Sequence, residues 1–258
     1  MKSVKAVFKK QFKGTVQNPE TLIQFIIYPL MAFIMSIFMM DVDSMAEDIM
    51  YHMYDFPEVA DTMIESMHAN MPNLVTMMAT MFAGMALIPA VAGIIAEDIE
   101  KKSLRFLIMA GVKPPAYLVG VGSVIFFASV FTSIAFAFVG GFWGVDFLIF
   151  IGAMMSGVAA SIVLGAIIGI LTKNQQSSTA LSMPIALVLG FGPMMAQFND
   201  TVARVLHIFY SQQINIVVDY LTVGAETPLW QSFAIMWGNV VVLGVLFIVV
   251  YAKKGLKG

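Results

Sequence analysis

Seven charged side chains crowd into seventeen residues of an otherwise apolar chain: Glu97, Asp98, Glu100, Lys101, Lys102, Arg105 and Lys113. Leu104, Leu107, Ile108 and Gly111 recur among them at helical spacing, so the stretch 96–114 predicts a short amphipathic helix. Its chemistry is recognition rather than bond-making. Mixed carboxylates, ammonium groups and a guanidinium can pair with a soluble partner or with lipid phosphates. The competing reading is a polar loop that merely carries positive-inside charge. The sequence holds no Gly-x-x-x-x-Gly-Lys-Ser/Thr, no His-Glu-x-x-His and no Gly-x-Ser-x-Gly. Phosphate binding through a P-loop, zinc hydrolysis and an elbow-type serine nucleophile are therefore not expected of this chain.

The elements around that stretch are set by hydropathy. Hydrophobic residues make up 59% of the 258 and charged residues 12%, with a mean hydropathy of +0.86. Soluble domains carry about 25% charged residues. The expectation is an all-α integral membrane protein forming one transmembrane domain over 1–258, with no nucleic-acid partner. There is no cysteine, hence no disulfide framework and no thiolate metal site. Residues 1–19 carry Lys2, Lys5, Lys9, Lys10 and Lys13 and no acid, while Val4, Val7, Phe8 and Phe12 keep helical spacing. That is a basic interfacial helix, with Lys5, Lys9, Lys10 and Lys13 facing lipid headgroups. A targeting peptide is the competing reading, although no cleavage pattern is present after it.

Six spans fit, at about 21–40, 72–96, 117–139, 147–171, 180–198 and 229–251. So bounded, they contain no Asp, Glu, Lys, Arg or His. Residues 41–71 read as an external helical loop, acidic and free of Lys and Arg. Residues 199–228 read as a re-entrant or interfacial hairpin, because each apolar half is too short to cross. Gly157, Ser161, Gly165 and Gly169 recur every fourth residue, a small-residue ridge that lets helices approach closely, by default within the chain. With the N-terminus inside, thirteen of the fourteen basic residues are cytoplasmic and only Arg204 is outside, while twelve of the sixteen acids are outside. Both termini are then cytoplasmic and the protein is multi-pass in the cell membrane.

Spans without an ionisable group suit neither a proton relay nor an intramembrane hydrolase. Energy for uphill transport would have to come from outside the chain. The order of parts resembles the permease subunit of ABC-2 type ABC transporters over the whole chain. The most specific piece is Glu97-Asp98-Ile99-Glu100-Lys101-Lys102-Ser103-Leu104-Arg105-Phe106-Leu107, similar to that family's Glu-x-Glu-x-(Gly/Lys)-(Thr/Ser)-Leu-x-x-Leu with one extra residue between the acids. A weaker match is Ser177 to Pro184, with Pro193-Met194 beyond it. The resemblance implies that 97–114 is a coupling helix. Glu97, Asp98, Glu100, Lys101, Lys102, Ser103 and Arg105 would then contact a separate ATPase subunit, present in two copies and supplying ATP and Mg. This chain itself would need no cofactor and no metal. It also implies a second permease copy, most simply a homodimer, with a pathway between the first, second and fifth spans.

Pro29, Met35, Ser36 and Met39 of the first span, and Pro184, Gly190 and Pro193 of the fifth, are the pathway and gate candidates. Prolines within spans free backbone carbonyls and let helices bend. Twenty-two methionines suit an adaptable apolar surface or plain packing. Hydrophobic drugs, antimicrobial peptides and lipid-like molecules are the expected export substrates. The alternatives are a passive channel or secondary carrier, a membrane enzyme, or a copper-related transporter using His52, Met53, Met63, Met67, His68 and Met71.

Overall fold

The computed structural model describes residues 2–17, 19–40, 59, 77–224 and 227–255. Ten helices succeed one another there: α1 (Lys2–Gln17), α2 (Pro19–Met40), α3 (Met77–Glu100), α4 (Ser103–Met109), α5 (Pro114–Val139), α6 (Gly144–Leu171), α7 (Gln175–Ala196), α8 (Asp200–Leu206), α9 (Tyr210–Val223) and α10 (Leu229–Gly255). No strand occurs among the described residues. In hydrocarbon the backbone must satisfy its own hydrogen bonds, and the helix does so within one segment.

Five helices, α3, α5, α6, α7 and α10, are long and apolar enough to cross a membrane. For α2, expected as the first of six spans, the apolar part so described is Ile23–Ile37, within a helix of 22 residues. The expected external loop lies outside the described residues apart from Val59, and the proposed copper ligands lie there with it. The first residues of the expected second span, 72–76, are outside as well.

α6 is the centre of the bundle, and its small-residue ridge explains why. A side chain on Gly165 would stand 2.7 Å from the carbonyl oxygen of Ile88, and one on Gly169 2.7 Å from that of Ala92. One half of the ridge thus lets the backbone of α3 lie against α6. The other half seats α9: Ile214 fills the space over Gly157, and Ser161 Oγ shares hydrogen bonds with Tyr210 OH (2.8 Å) and the Gly157 carbonyl (2.9 Å). The ridge packs inside the chain, as expected.

Several boundaries differ from those expected. α7 starts at Gln175 rather than 180, because Asn174 caps it: Asn174 Oδ1 accepts the Ser177 N–H at 2.8 Å, and the Ser177 hydroxyl answers in a capping box. α5 begins at Pro114, where proline suits the first helical turn. α3 continues past Ala96 to Glu100, so three acids belong to its last turn. Phe82–Ala86 of α3 form a π-helical turn that the sequence did not announce. There Gly84 meets the backbone of α7: a side chain on it would lie 2.7 Å from Gly190 N.

The helices alternate in direction, so the end of α3, α4, the starts of α5 and α7 and the end of α10 share one end of the bundle. Glu100 Oε2 accepts the Gln175 N–H at 3.2 Å, and Tyr117 and Tyr251 rings lie 6.1 Å apart there. α1 joins this end, with Val7 packed against Gly120. That end therefore collects Lys9, Lys10, Lys13, Lys101, Lys102, Arg105, Lys113, Lys173 and Lys253. The opposite end holds the α5–α6 turn, where Phe142 stacks on Phe150, and the short α8.

Candidate functional site

The helix expected over 97–114 is not continuous. After Glu100 the chain turns at Lys101 and Lys102, and Lys102 has the positive φ of 58°. Left-handed backbone at a non-glycine residue breaks the α3 direction and re-aims the next segment. α4 then occupies only Ser103–Met109, and Gly111, with φ +77°, turns the chain toward α5. The charged stretch is thus a corner: three acids end one helix, two lysines turn, and a two-turn helix crosses the end of the bundle.

This geometry divides the seven predicted contact residues. Asp98 faces inward and is 7% exposed. Its Oδ2 accepts the Tyr117 OH at 2.9 Å, its Oδ1 accepts the Ser103 hydroxyl at 2.8 Å, and Lys10 of α1 forms an ion pair with it. Lys10 Nζ also donates to Ser103 Oγ at 3.1 Å. One carboxylate thus ties α1, α3, α4 and α5 together. Of the residues expected to contact an ATPase, Asp98 is buried and Ser103 is half-buried, and both bond within the protein. The signal was present: Val91, Ile95 and Asp98 share one face of α3, and the first two are fully buried.

The other members remain outside. Glu97 pairs with Lys101, and that carboxylate raises the lysine above its ordinary value. Glu100, Lys102 and Arg105 are exposed. Leu104 is buried and Leu107 and Ile108 half-buried, so α4 docks with the face the spacing indicated. Its outer face carries two side chains that periodicity alone did not single out: Phe106 is 67% and Met109 74% exposed. A cavity of about 290 Å3 adjoins the corner, lined by Glu97, Glu100, Lys101, Asn174, Gln175 and Gln176. The surface is chemically mixed, with an apolar pair flanked by guanidinium, ammonium and carboxylate groups. Binding interfaces combine these types, with an apolar centre and a polar rim.

Of the four headgroup candidates on α1, Lys9 and Lys13 are exposed, Lys10 is spent partly on Asp98, and the side chain of Lys5 is outside the described residues. The gate candidates fall on two helices that both pack against the π turn of α3. Pro29 is buried and Met35 and Ser36 are half-buried on α2, where the Met39 side chain is outside the described residues. On α7, Pro193 is buried, Pro184 is exposed, and Met85 lies over the buried Gly190. No group of three or more His, Cys, Asp or Glu side chains able to hold a metal occurs among the described residues.

Comparison with known proteins supplies what geometry alone does not. A family model described as ABC-2 family transporter protein matches residues 57–250. No curated protein matches the chain. The match covers three of every four residues, and the chain belongs to that family: it is an ABC transporter permease.

Proposed function

We propose that this ABC-2 permease exports a hydrophobic or amphipathic molecule, driven by ATP hydrolysis in two copies of a separate ATPase subunit, and that it works as a homodimer. The 101–113 corner is the ATPase contact. The single observation that carries this reading is α4: a short helix at the basic end of the bundle, fixed from below by Leu104 and Asp98, that offers Phe106, Met109 and Arg105 outward. Large apolar side chains at that exposure, beside charges, mark an interaction surface in a protein whose lipid-facing belt lies elsewhere. The notch between Glu100 and Gln175 gives a basic side chain of the partner a second place to engage.

The basic end is the cytoplasmic one, by the positive-inside rule, which sets both termini inside and α8–α9 outside. α2 is the sixth crossing helix. α1 lies in the interface with Lys9 and Lys13 toward headgroups. The pathway runs beside α2 and α7, which both pack against the π turn and carry exposed apolar side chains (Ile26, Leu30 and Phe33; Leu187 and Val188).

The test is copurification from native membranes. An ABC ATPase, identified by its P-loop peptide, is expected to accompany the wild-type chain, and Phe106→Ser/Met109→Ser is expected to lower association at least tenfold while membrane insertion is kept. Absence of any ATPase from cross-linked wild-type membranes would refute the reading. So would wild-type association and substrate-stimulated hydrolysis in the double variant.

A further inference from the structure

The two halves of α7 are held to the bundle in different ways. The half after Pro184 interlocks with its neighbours. Met85 lies over Gly190, a side chain on Gly84 would stand 2.7 Å from Gly190 N, and one on Gly192 would stand 2.8 Å from Leu206 of α8. The half before Pro184, residues 175–183, buries only Ser178 and Ser182, while its large apolar side chains, Leu181 and Met183, are exposed. Moving this half therefore takes little apolar surface out of contact. The Ser182 hydroxyl donates to the Thr179 carbonyl of its own helix at 3.3 Å. The Ser178 hydroxyl is fully buried and has no hydrogen-bond partner. Such a group destabilises the packed arrangement and is relieved when water reaches it.

Pro184 supplies a pivot between the halves. It offers no N–H to the Ala180 carbonyl, so the helix bends more easily there. The cavity of about 290 Å3 supplies room, because it is lined both by the end of α3 and by the start of α7. The Glu100 carboxylate bridges these two ends: its Oε2 accepts the Gln175 N–H, in the first turn of α7, at 3.2 Å. A carboxylate suits the positive end of a helix. Glu100 and Gln175 are both exposed, so water can replace either partner and the bond can open and close.

We infer that residues 175–183 swing away from α3 about Pro184, and that Glu100 is the latch that holds them closed. Glu100 is the last residue of α3 before the turn into α4. The element that meets the ATPase and the group that holds α7 are thus adjacent in the chain. A basic side chain of the partner that takes the Glu100 carboxylate at the notch releases Gln175, and the pathway beside α7 opens from the basic end of the bundle. This rests on the ATPase and pathway readings above and adds the joint through which one acts on the other.

The experiment uses the full cysteine-free chain in nanodiscs, without ATPase, and reads the rate at which N-ethylmaleimide labels Ser178→Cys. Glu100→Ala should raise that rate about fivefold, the change that loss of one hydrogen bond brings. It should leave the rate at Val7→Cys unchanged, a site buried at the same end of the bundle against α5. Glu100→Gln keeps an acceptor oxygen and should label within about twofold of the wild type. Pro184→Ala restores the missing N–H and should slow labelling of the Glu100→Ala protein at least twofold. Equal rates at Ser178→Cys with and without Glu100→Ala overturn the inference. So does an equal rise at Val7→Cys, which registers general loosening. Fast labelling in Glu100→Gln refutes the latch, and an unchanged rate on adding Pro184→Ala refutes the pivot. ATPase copurification is scored on separate samples: its failure refutes the permease assembly, while the labelling rates still decide the latch.

Discussion

Replacing Asp98 by alanine tests the corner most directly. The side chain is buried and holds three partners, and their fates differ. Tyr117 is fully buried, so its hydroxyl loses its acceptor with no water to replace it. An unpartnered buried group costs about 1–3 kcal/mol. The Lys10 side chain is 45% exposed, so its ion pair contributes only about 0–1 kcal/mol. The expected loss for Asp98→Ala is therefore about 2–3 kcal/mol, a factor of about 30–150 in the folding equilibrium. Asp98→Asn keeps an acceptor for Tyr117 and should lose about 1 kcal/mol or less. The discriminating variant is Asp98→Ala/Tyr117→Phe. Removing the tyrosine hydroxyl as well leaves no buried hydroxyl orphaned, since Ser103 Oγ keeps the Asp98 backbone carbonyl, so the double variant should be more stable than Asp98→Ala alone. Unfolding of the purified chain in mixed micelles, followed by fluorescence of its three tryptophans, measures these four proteins and Tyr117→Phe alone, which completes the cycle. Losses that simply add in the double variant would refute the assignment of the cost to the orphaned tyrosine. Wild-type stability in Asp98→Ala would refute the role of the carboxylate altogether.

Gly169→Val places a branched side chain where even a methyl group would lie 2.7 Å from the Ala92 carbonyl oxygen. Overpacking of this kind costs about 1–3 kcal/mol or more, and the loss should exceed that of Gly244→Val, where nothing lies within 4 Å. Orientation is checked with single cysteines in this cysteine-free chain: Met109→Cys should be blocked only from the cytoplasmic side, and Phe198→Cys should react with an impermeant maleimide from outside. Reversed labelling would invert the assignment and move α4 away from any cytoplasmic ATPase.

Much of the architecture was legible because the bilayer enforces it. Long charge-free runs gave the five helices that are long and apolar enough to cross a membrane, with ends within about five residues, and the four-residue period of Gly157, Ser161, Gly165 and Gly169 gave the face of α6 that others approach. What escaped is local. The Asn174–Ser177 capping box was readable in the sequence, yet the expected span began only at about 180, where the polar residues end. The break at Lys102 has no signature, since lysine has no preference for a left-handed backbone and only the surrounding contacts hold it there. The π turn at Phe82–Ala86 is set by packing against α2 and α7, which a one-dimensional period cannot express. In the candidate site, composition identified the stretch but not which charges face out. A run of mixed charges looks alike whether a carboxylate is buried or solvated, and only the phase inherited from Val91 and Ile95 distinguishes Asp98.

The ion pair between Lys10 and Asp98 joins residues 88 apart in the chain. During synthesis, at about 5–20 residues per second, α1 has left the ribosome about 4–18 s before its counter-charge exists, and Tyr117 arrives later still. For that interval the first helix has no protein partner at this position. α1 is therefore made before the elements that fix it, and is held at this position only once α3 to α5 have followed. Truncated chains that stop before α3 should expose α1 to protease, and chains that include α5 should protect it.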